Sequence, residues 1–168
     1  MTDNKNRSRV NRRQVLSIGA ASGLVAGIAP QIQGPAQAQA KPMPTVEIAS
    51  LTELNPGTQI DFEYPDENSP AVLLAMDGPV EDGIGPDQNI VAFSSLCTHK
   101  GCNVVWHADQ KVLICPCHWS SFDPGKKGRM VIGQASSGLP QITLAVEGGK
   151  VKATGVSGLI YGRQTNVM

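Results

Sequence analysis

Between Cys97 and Ser120 the chain gathers nearly all of its metal-binding chemistry, and any fold it adopts must present this stretch as two facing loops. The stretch reads Cys97-Thr98-His99-Lys100-Gly101-Cys102, then twelve residues, then Cys115-Pro116-Cys117-His118-Trp119-Ser120. All four cysteines and all three histidines of the 168-residue chain lie inside it, with His99 and His118 in the two cysteine-bearing segments and His107 between them. Cys97 and His99 are one residue apart, and Cys115 and His118 are two apart. Each pair is spaced to turn a thiolate and an imidazole towards one centre from a tight loop. Two cysteines and two histidines form a donor set that suits zinc or a mixed-ligand iron–sulfur cluster. Cys102 and Cys117 stand outside that set, one in each loop.

Three readings compete for these residues. Two plain disulfides use the four cysteines but leave His99 and His118 without a role. Structural zinc fits the ligand types, yet zinc loops usually space the second pair more widely and rarely add a disulfide. A 2Fe–2S cluster of the Rieske type takes two Cys on one iron and two His on the other. The order Cys-x-His-x-Gly-Cys followed by Cys-x-Cys-His-x-Ser closely resembles the two Rieske cluster-binding boxes. That resemblance implies Cys97 and Cys115 on the buried iron and His99 and His118 on the outer one. It also implies a Cys102–Cys117 disulfide joining the loops, closing about fifteen residues and worth roughly 3 kcal/mol in the chain-entropy model. Gly101 permits a turn that a side chain would obstruct. Ser120 matches the serine that donates to a cluster sulfur, a bond that stabilises the reduced state and raises the potential. Where higher-potential relatives carry a tyrosine, this chain has Phe122, so one donor is missing and a lower potential is expected.

The other residues near the boxes are less specific. His107 matches no Rieske ligand and reads as a surface histidine. Trp119 either caps the domain core or stands exposed as a contact for a redox partner. Ser136–Pro140 sits where many Rieske proteins have a proline-containing loop covering the cluster.

At the other end, residues 1–14 carry Lys5, Arg7, Arg9, Arg12 and Arg13 against a single Asp3. A mildly apolar run, Val15 to Ala29, ends at Pro30, and Ala36-Gln37-Ala38-Gln39-Ala40 offers two small-residue cleavage sites. This is the layout of a secretory signal. Arg12-Arg13-Gln14-Val15-Leu16 resembles a twin-arginine (Tat) signal, the route for proteins that fold before export. The route suits a domain whose cluster is assembled in the cytoplasm, and it implies a periplasmic location. Retention as a membrane anchor is the alternative, but fifteen helical residues span only about 22 Å of a hydrocarbon core of about 30 Å. The expected division is therefore residues 1–40 as a cleaved leader and residues 41–168 as the functional domain. The whole chain has 14 basic and 14 acidic residues. The leader holds 5 and 1 of them, leaving 9 against 13 and a net charge of −4. Nothing in that remainder suggests nucleic-acid binding.

From Lys41 onward the texture is short β segments cut by Gly, Pro and Asp. Thr58–Tyr64 alternates, with Ile60, Phe62 and Tyr64 on one face. Ala71–Met76 is a compact apolar run, and Ile90–Phe93 leads into the first box. Asn103–Trp106 and Lys111–Ile114 predict a hairpin turning at Ala108-Asp109, which brings the boxes side by side. Gln141–Val146 and Lys150–Thr154 flank Glu147-Gly148-Gly149, a second hairpin. No sustained helical period appears, so the fold is expected to be all-β. The resemblance agrees, implying an antiparallel Rieske domain with a small cluster-binding subdomain.

Four segments outside the boxes narrow the resemblance: Tyr64–Pro70, Gly83–Asp87, Gly133-Gln134-Ala135 and Leu159–Arg163. With the leader, they resemble the small subunit of bacterial arsenite oxidase. That resemblance implies a heterodimer with a large molybdopterin subunit that also holds a 3Fe–4S cluster. It further implies a periplasmic cytochrome c or blue-copper acceptor, and no substrate site or catalytic residue in this chain. A cytochrome bc Rieske subunit would need a retained anchor, and a ring-hydroxylating oxygenase would need a further large domain. A zinc-stabilised interaction module is the non-redox alternative.

Overall fold

Strand formation follows the alternation of apolar residues, and the two central strands show what the alternation is for. In β3 (Pro70–Ala75) and β4 (Ile90–Ser94) almost every side chain is buried, on both faces of the sheet. Val72, Leu74, Val91 and Phe93 face one hydrophobic cluster, which also contains Cys97, Cys115, Leu113, Phe122 and Leu139. Ala71, Leu73, Ala75, Ile90 and Ala92 face the other, with Tyr64, Ile142 and Val151. Because side chains alternate across a strand, one pair of strands serves both cores. Each fully buried leucine contributes about 1.5–3 kcal/mol, so the cluster-bearing half is anchored to the base by the same residues that build it.

The computed structural model describes residues 42–166. They belong to one unit, Gln39–Met168, and the leader expected at residues 1–40 lies outside the described residues. β1 (Val46–Ser50), β2 (Gln59–Glu63), β9 (Gln141–Glu147) and β10 (Lys150–Ser157) join β3 and β4 in a six-stranded sheet, ordered β1-β10-β9-β4-β3-β2. All its neighbouring pairs are antiparallel. Between β4 and β9 the chain leaves the sheet and builds a second one from β5 (Val105–His107), β6 (Val112–Ile114), β7 (Ser121–Asp123) and β8 (Arg129–Ile132), in sequence order. The only helical segments among the described residues are 3₁₀ turns at Leu51–Glu53 and Pro124–Lys126. No helix among them is long and apolar enough to cross a membrane.

Both expected hairpins form. Trp106 pairs with Leu113 and His107 with Val112, around a turn of residues 108–111. Gly148 and Gly149 both have positive φ, 58° and 76°, the geometry a two-residue hairpin loop demands. Three strands were not anticipated. β1 is short and half-buried, while β7 and β8 carry polar and glycine-rich flanks that read as loop.

Candidate metal centre

Two short turns carry the site. In the first, the Gly101 N–H donates to the Cys97 carbonyl at 2.8 Å, and the Cys97 N–H donates to the Cys102 carbonyl at 2.9 Å. In the second, the Trp119 N–H donates to the Cys115 carbonyl at 2.9 Å, and the Cys115 N–H donates to the Ser120 carbonyl at 2.8 Å. Each turn thus closes on its leading cysteine and holds that thiol inward. Cys97 and Cys115 are 0% and 1% exposed. His99 and His118 sit at the rim, with their Nδ1 atoms 3.2 Å apart and their rings edge to face. Cys102 and Cys117 are joined by a disulfide, S–S 2.05 Å, which locks turn to turn.

The donor chemistry fits a 2Fe–2S cluster. Burial pushes the Cys97 thiol up, and its contact with Cys115 adds to the shift. The backbone N–H groups of His99 and Lys100 oppose this by favouring the thiolate. A Cys97 thiol buried against a second sulfur resists ionising, and a bound cationic centre removes that penalty. The sulfurs of Cys102, Cys115 and Cys117 lie within 4.8 Å of one another. Two of these are spent in the disulfide, so this proximity marks the bridge packing on the Cys115 thiol and not a separate ligand set.

Ser120 is fully buried, and its Oγ accepts from the Gln134 and Ala135 N–H groups, both at 3.0 Å. Among the described residues its own proton has no partner, which leaves it free to be donated. Phe122 is fully buried in the same cluster as Cys97 and Cys115, opposite Leu113 on β6. Trp119 does not cap the core: it is 72% exposed and sits at φ 61°. His107 is half-buried at the end of β5 beside the hairpin turn, and the paired rings are those of His99 and His118. The 136–140 loop rests on the first turn, where Thr98 Oγ1 donates to the Ser137 carbonyl at 2.7 Å and Ser136 Oγ donates to the Thr98 carbonyl at 3.2 Å.

Sequence reasoning gave Gly133 and Tyr161 no role. Gly133 has φ 119°, and a Cβ on it would lie 2.3 Å from Ser120 Cα. Only glycine lets the end of β8 approach closely enough for the next two N–H groups to reach the serine. The signal available was their membership in segments outside the boxes, which carried a resemblance but no stated mechanism.

Comparison with known proteins fits this geometry. The family model described as Rieske [2Fe-2S] domain matches residues 45–143. The chain belongs to the Rieske family. Its cofactor is accordingly a 2Fe–2S cluster, a group that supplies one-electron transfer when bound. Iodate reductase subunit IdrB of Denitromonas iodatirespirans is 33% identical over 163 residues, 95% of this chain and 88% of that protein. The protein of the same name from Pseudomonas sp. (strain SCT) is 35% identical over 93% of this chain and 84% of its own length. The cytochrome bc1 complex Rieske iron-sulfur subunit of Streptomyces lividans is 40% identical, but over only 60 residues, 35% of each chain. Among solved structures, the soluble domain of Rieske protein II from Sulfolobus acidocaldarius superposes with a TM-score of 0.65 at 22% identity, covering 73% of this chain and 82% of that one. This likeness establishes the shared fold.

Proposed function

We propose that this chain is the electron-transfer subunit of an exported molybdenum oxidoreductase of the arsenite oxidase type. Cys97 and Cys115 hold the inner iron of its cluster, and His99 and His118 hold the outer iron through Nδ1. The partner is a large molybdopterin subunit with a 3Fe–4S cluster, and the outward acceptor is a periplasmic cytochrome c or blue-copper protein. Delivery is by the twin-arginine route through Arg12 and Arg13. The chain then has no substrate site of its own: the paired imidazoles at the rim offer an exit for one electron, and buried thiolates hold the other side.

The observation that carries this reading is extent. Similarity to a subunit of a named reductase runs over 95% of the chain, whereas similarity to a bc1 subunit covers only 35% of it. The same relatives favour a second reading, in which the complex reduces iodate and electrons pass through this subunit in the opposite direction. Trp119 is the proposed partner contact. A bulky residue held at positive φ is strained, and such strain persists where exposure of the side chain serves a purpose.

Purification of the native complex decides between the readings. Molybdenum, iron and a second, larger subunit are expected in it, with arsenite-dependent reduction of cytochrome c. Iodate-dependent oxidation of a reduced dye without arsenite activity would select the second reading. A lone chain without a larger partner would reject both. Trp119→Ala should slow electron passage to a partner while leaving the reduction potential unchanged. Replacing Arg12 and Arg13 by Lys should hold folded protein in the cytoplasm, and undiminished export would exclude the twin-arginine route.

A further inference from the structure

Directly after β10, segment 159–163 reaches the first cluster turn. Ile160 is 1% exposed and anchors it in the fold. The next residue, Tyr161, lays its ring against the backbone of Gly101. A Cβ at Gly101 would lie 2.6 Å from Tyr161 Cδ1 and 2.7 Å from Cε1. Gly101 stands at φ 74°, two residues after His99 and directly before the disulfide cysteine Cys102. Two residues beyond the ring, the Arg163 guanidinium donates to both carboxylate oxygens of Asp66 and to Ser69 Oγ.

The receiving loop is itself ordered. Ser69 N–H donates to the Asp66 carbonyl at 3.0 Å, and Tyr64 N–H donates to the Ser69 carbonyl at 2.9 Å. Beyond Arg163 the chain folds back, and Asn166 Oδ1 accepts from the Ile160 N–H at 3.0 Å. Terminal segments fray unless they are tied down. This one is tied on both sides of a single aromatic ring, and that ring presses on a residue with no side chain to deflect it. Among the described residues the second turn has no such cover, and Trp119 at the equivalent place is exposed.

We propose that segment 159–163 is a strap that positions the first cluster turn, with Tyr161 acting through Gly101 on the orientation of His99, and Arg163, held by Asp66 and Ser69, keeping the ring in place. Tyr161 is a positioning residue and touches no reacting atom. The inference rests on the assignment of His99 as a ligand, so the two must be tested separately. Loss of the Rieske electron paramagnetic resonance spectrum in His99→Ala tests the ligand. Comparisons among Tyr161 and Asp66 variants of the full chain test the strap.

In Tyr161→Ala the reduced cluster should show altered g-values, and its redox equilibrium should move by up to tenfold, about 59 mV for one electron. Tyr161→Phe keeps the ring contact and should match the wild type in both readouts. Asp66→Asn should move both in the same direction as Tyr161→Ala, by a smaller amount. A wild-type spectrum and potential in Tyr161→Ala would overturn the proposal, even if the protein melts earlier. Equal shifts in the Ala and Phe variants would also overturn it, because the ring contact would then not be what matters. Should Tyr161→Ala fail to hold a cluster, full cluster content in Tyr161→Phe supports the strap, and equal failure of both rejects it.

Discussion

In the turn that follows Cys97, the residue four positions on is a glycine at φ 74°; in the turn that follows Cys115, it is a tryptophan at φ 61°. Both residues donate their N–H to the leading cysteine carbonyl, and both turns present one thiol inward and one imidazole outward. The backbone requirement is therefore shared, and the side chains diverge for a physical reason. At Gly101 a tyrosine ring occupies the space a Cβ would need, so glycine is obligatory twice over. At Trp119 the space is open, and the chain accepts a left-handed conformation that costs a non-glycine residue roughly 1–2 kcal/mol. The first turn is held by what covers it, the C-terminal strap and the 136–140 loop. The second is held from beneath, by the Ser120 hydroxyl and the close approach of Gly133.

The largest effect should come from breaking what the turns have in common. On the proposed ligand set, His99→Ala or His118→Ala removes half the protein ligands of the outer iron, and either should abolish the Rieske spectrum. His107→Ala should leave it intact. Cluster loss in a folded His107→Ala protein would mean that the ligand set has been misassigned.

Next come the supports that differ. Gly101→Ala meets the Tyr161 ring and Gly133→Ala meets the Ser120 backbone, both at positive φ, so each should cost about 2 kcal/mol or more. Truncating the ring should relieve only one of them. Tyr161→Ala is expected to recover part of the melting temperature lost in Gly101→Ala and none of that lost in Gly133→Ala. Recovery of both would show that the two turns are not independently supported.

What the sequence made legible follows from the same contrast. The boxes were readable because six positions at fixed spacing state their chemistry locally. The β5–β6 and β9–β10 hairpins were readable because alternation and turn residues are also local signals. β7 and β8 were not, since Ser121–Asp123 is three residues long and β8 exposes Val131 and Ile132 on its open edge. Their pairing is dictated by the partner strand and by Gly133, not by their own pattern. The strap was invisible for a stronger reason. Arg163 and Asp66 are 97 residues apart, and no periodicity encodes a contact at that separation.

A smaller effect is expected on the potential, from the second turn alone. Ser120→Ala removes the free hydroxyl proton and also strips two backbone N–H groups of their acceptor, so it should lower both the potential and the stability. Phe122→Tyr adds a donor beside the buried thiols and should raise the potential. Tens of millivolts is the scale, given about 59 mV per tenfold change for one electron. Protein-film voltammetry reads both, and a lowered potential in Phe122→Tyr would mean that the new hydroxyl points away from Cys97.

The smallest effect belongs to the first turn's remote anchor and should disappear in acid. The Arg163 guanidinium, with help from Asn68 N–H and Ser69, holds the Asp66 carboxyl below the usual carboxylate range. The two side chains are 19% and 10% exposed, so the pair is largely shielded but still near water. Its contribution should be ~1–2 kcal/mol, between an exposed ion pair and a charge-assisted bond in the interior. A carboxylate with a depressed folded-state pKa binds protons more readily when unfolded. The stabilisation is therefore fully present above the unfolded value of about 3.9, and it is lost as pH falls through the folded value. Asp66→Asn should melt a few degrees below the wild type at neutral pH, and the gap should close below about pH 4. Thermal unfolding of the two proteins side by side measures that gap. A gap that persists unchanged at pH 3 would show that the strap is held by shape and not by the charge on Asp66.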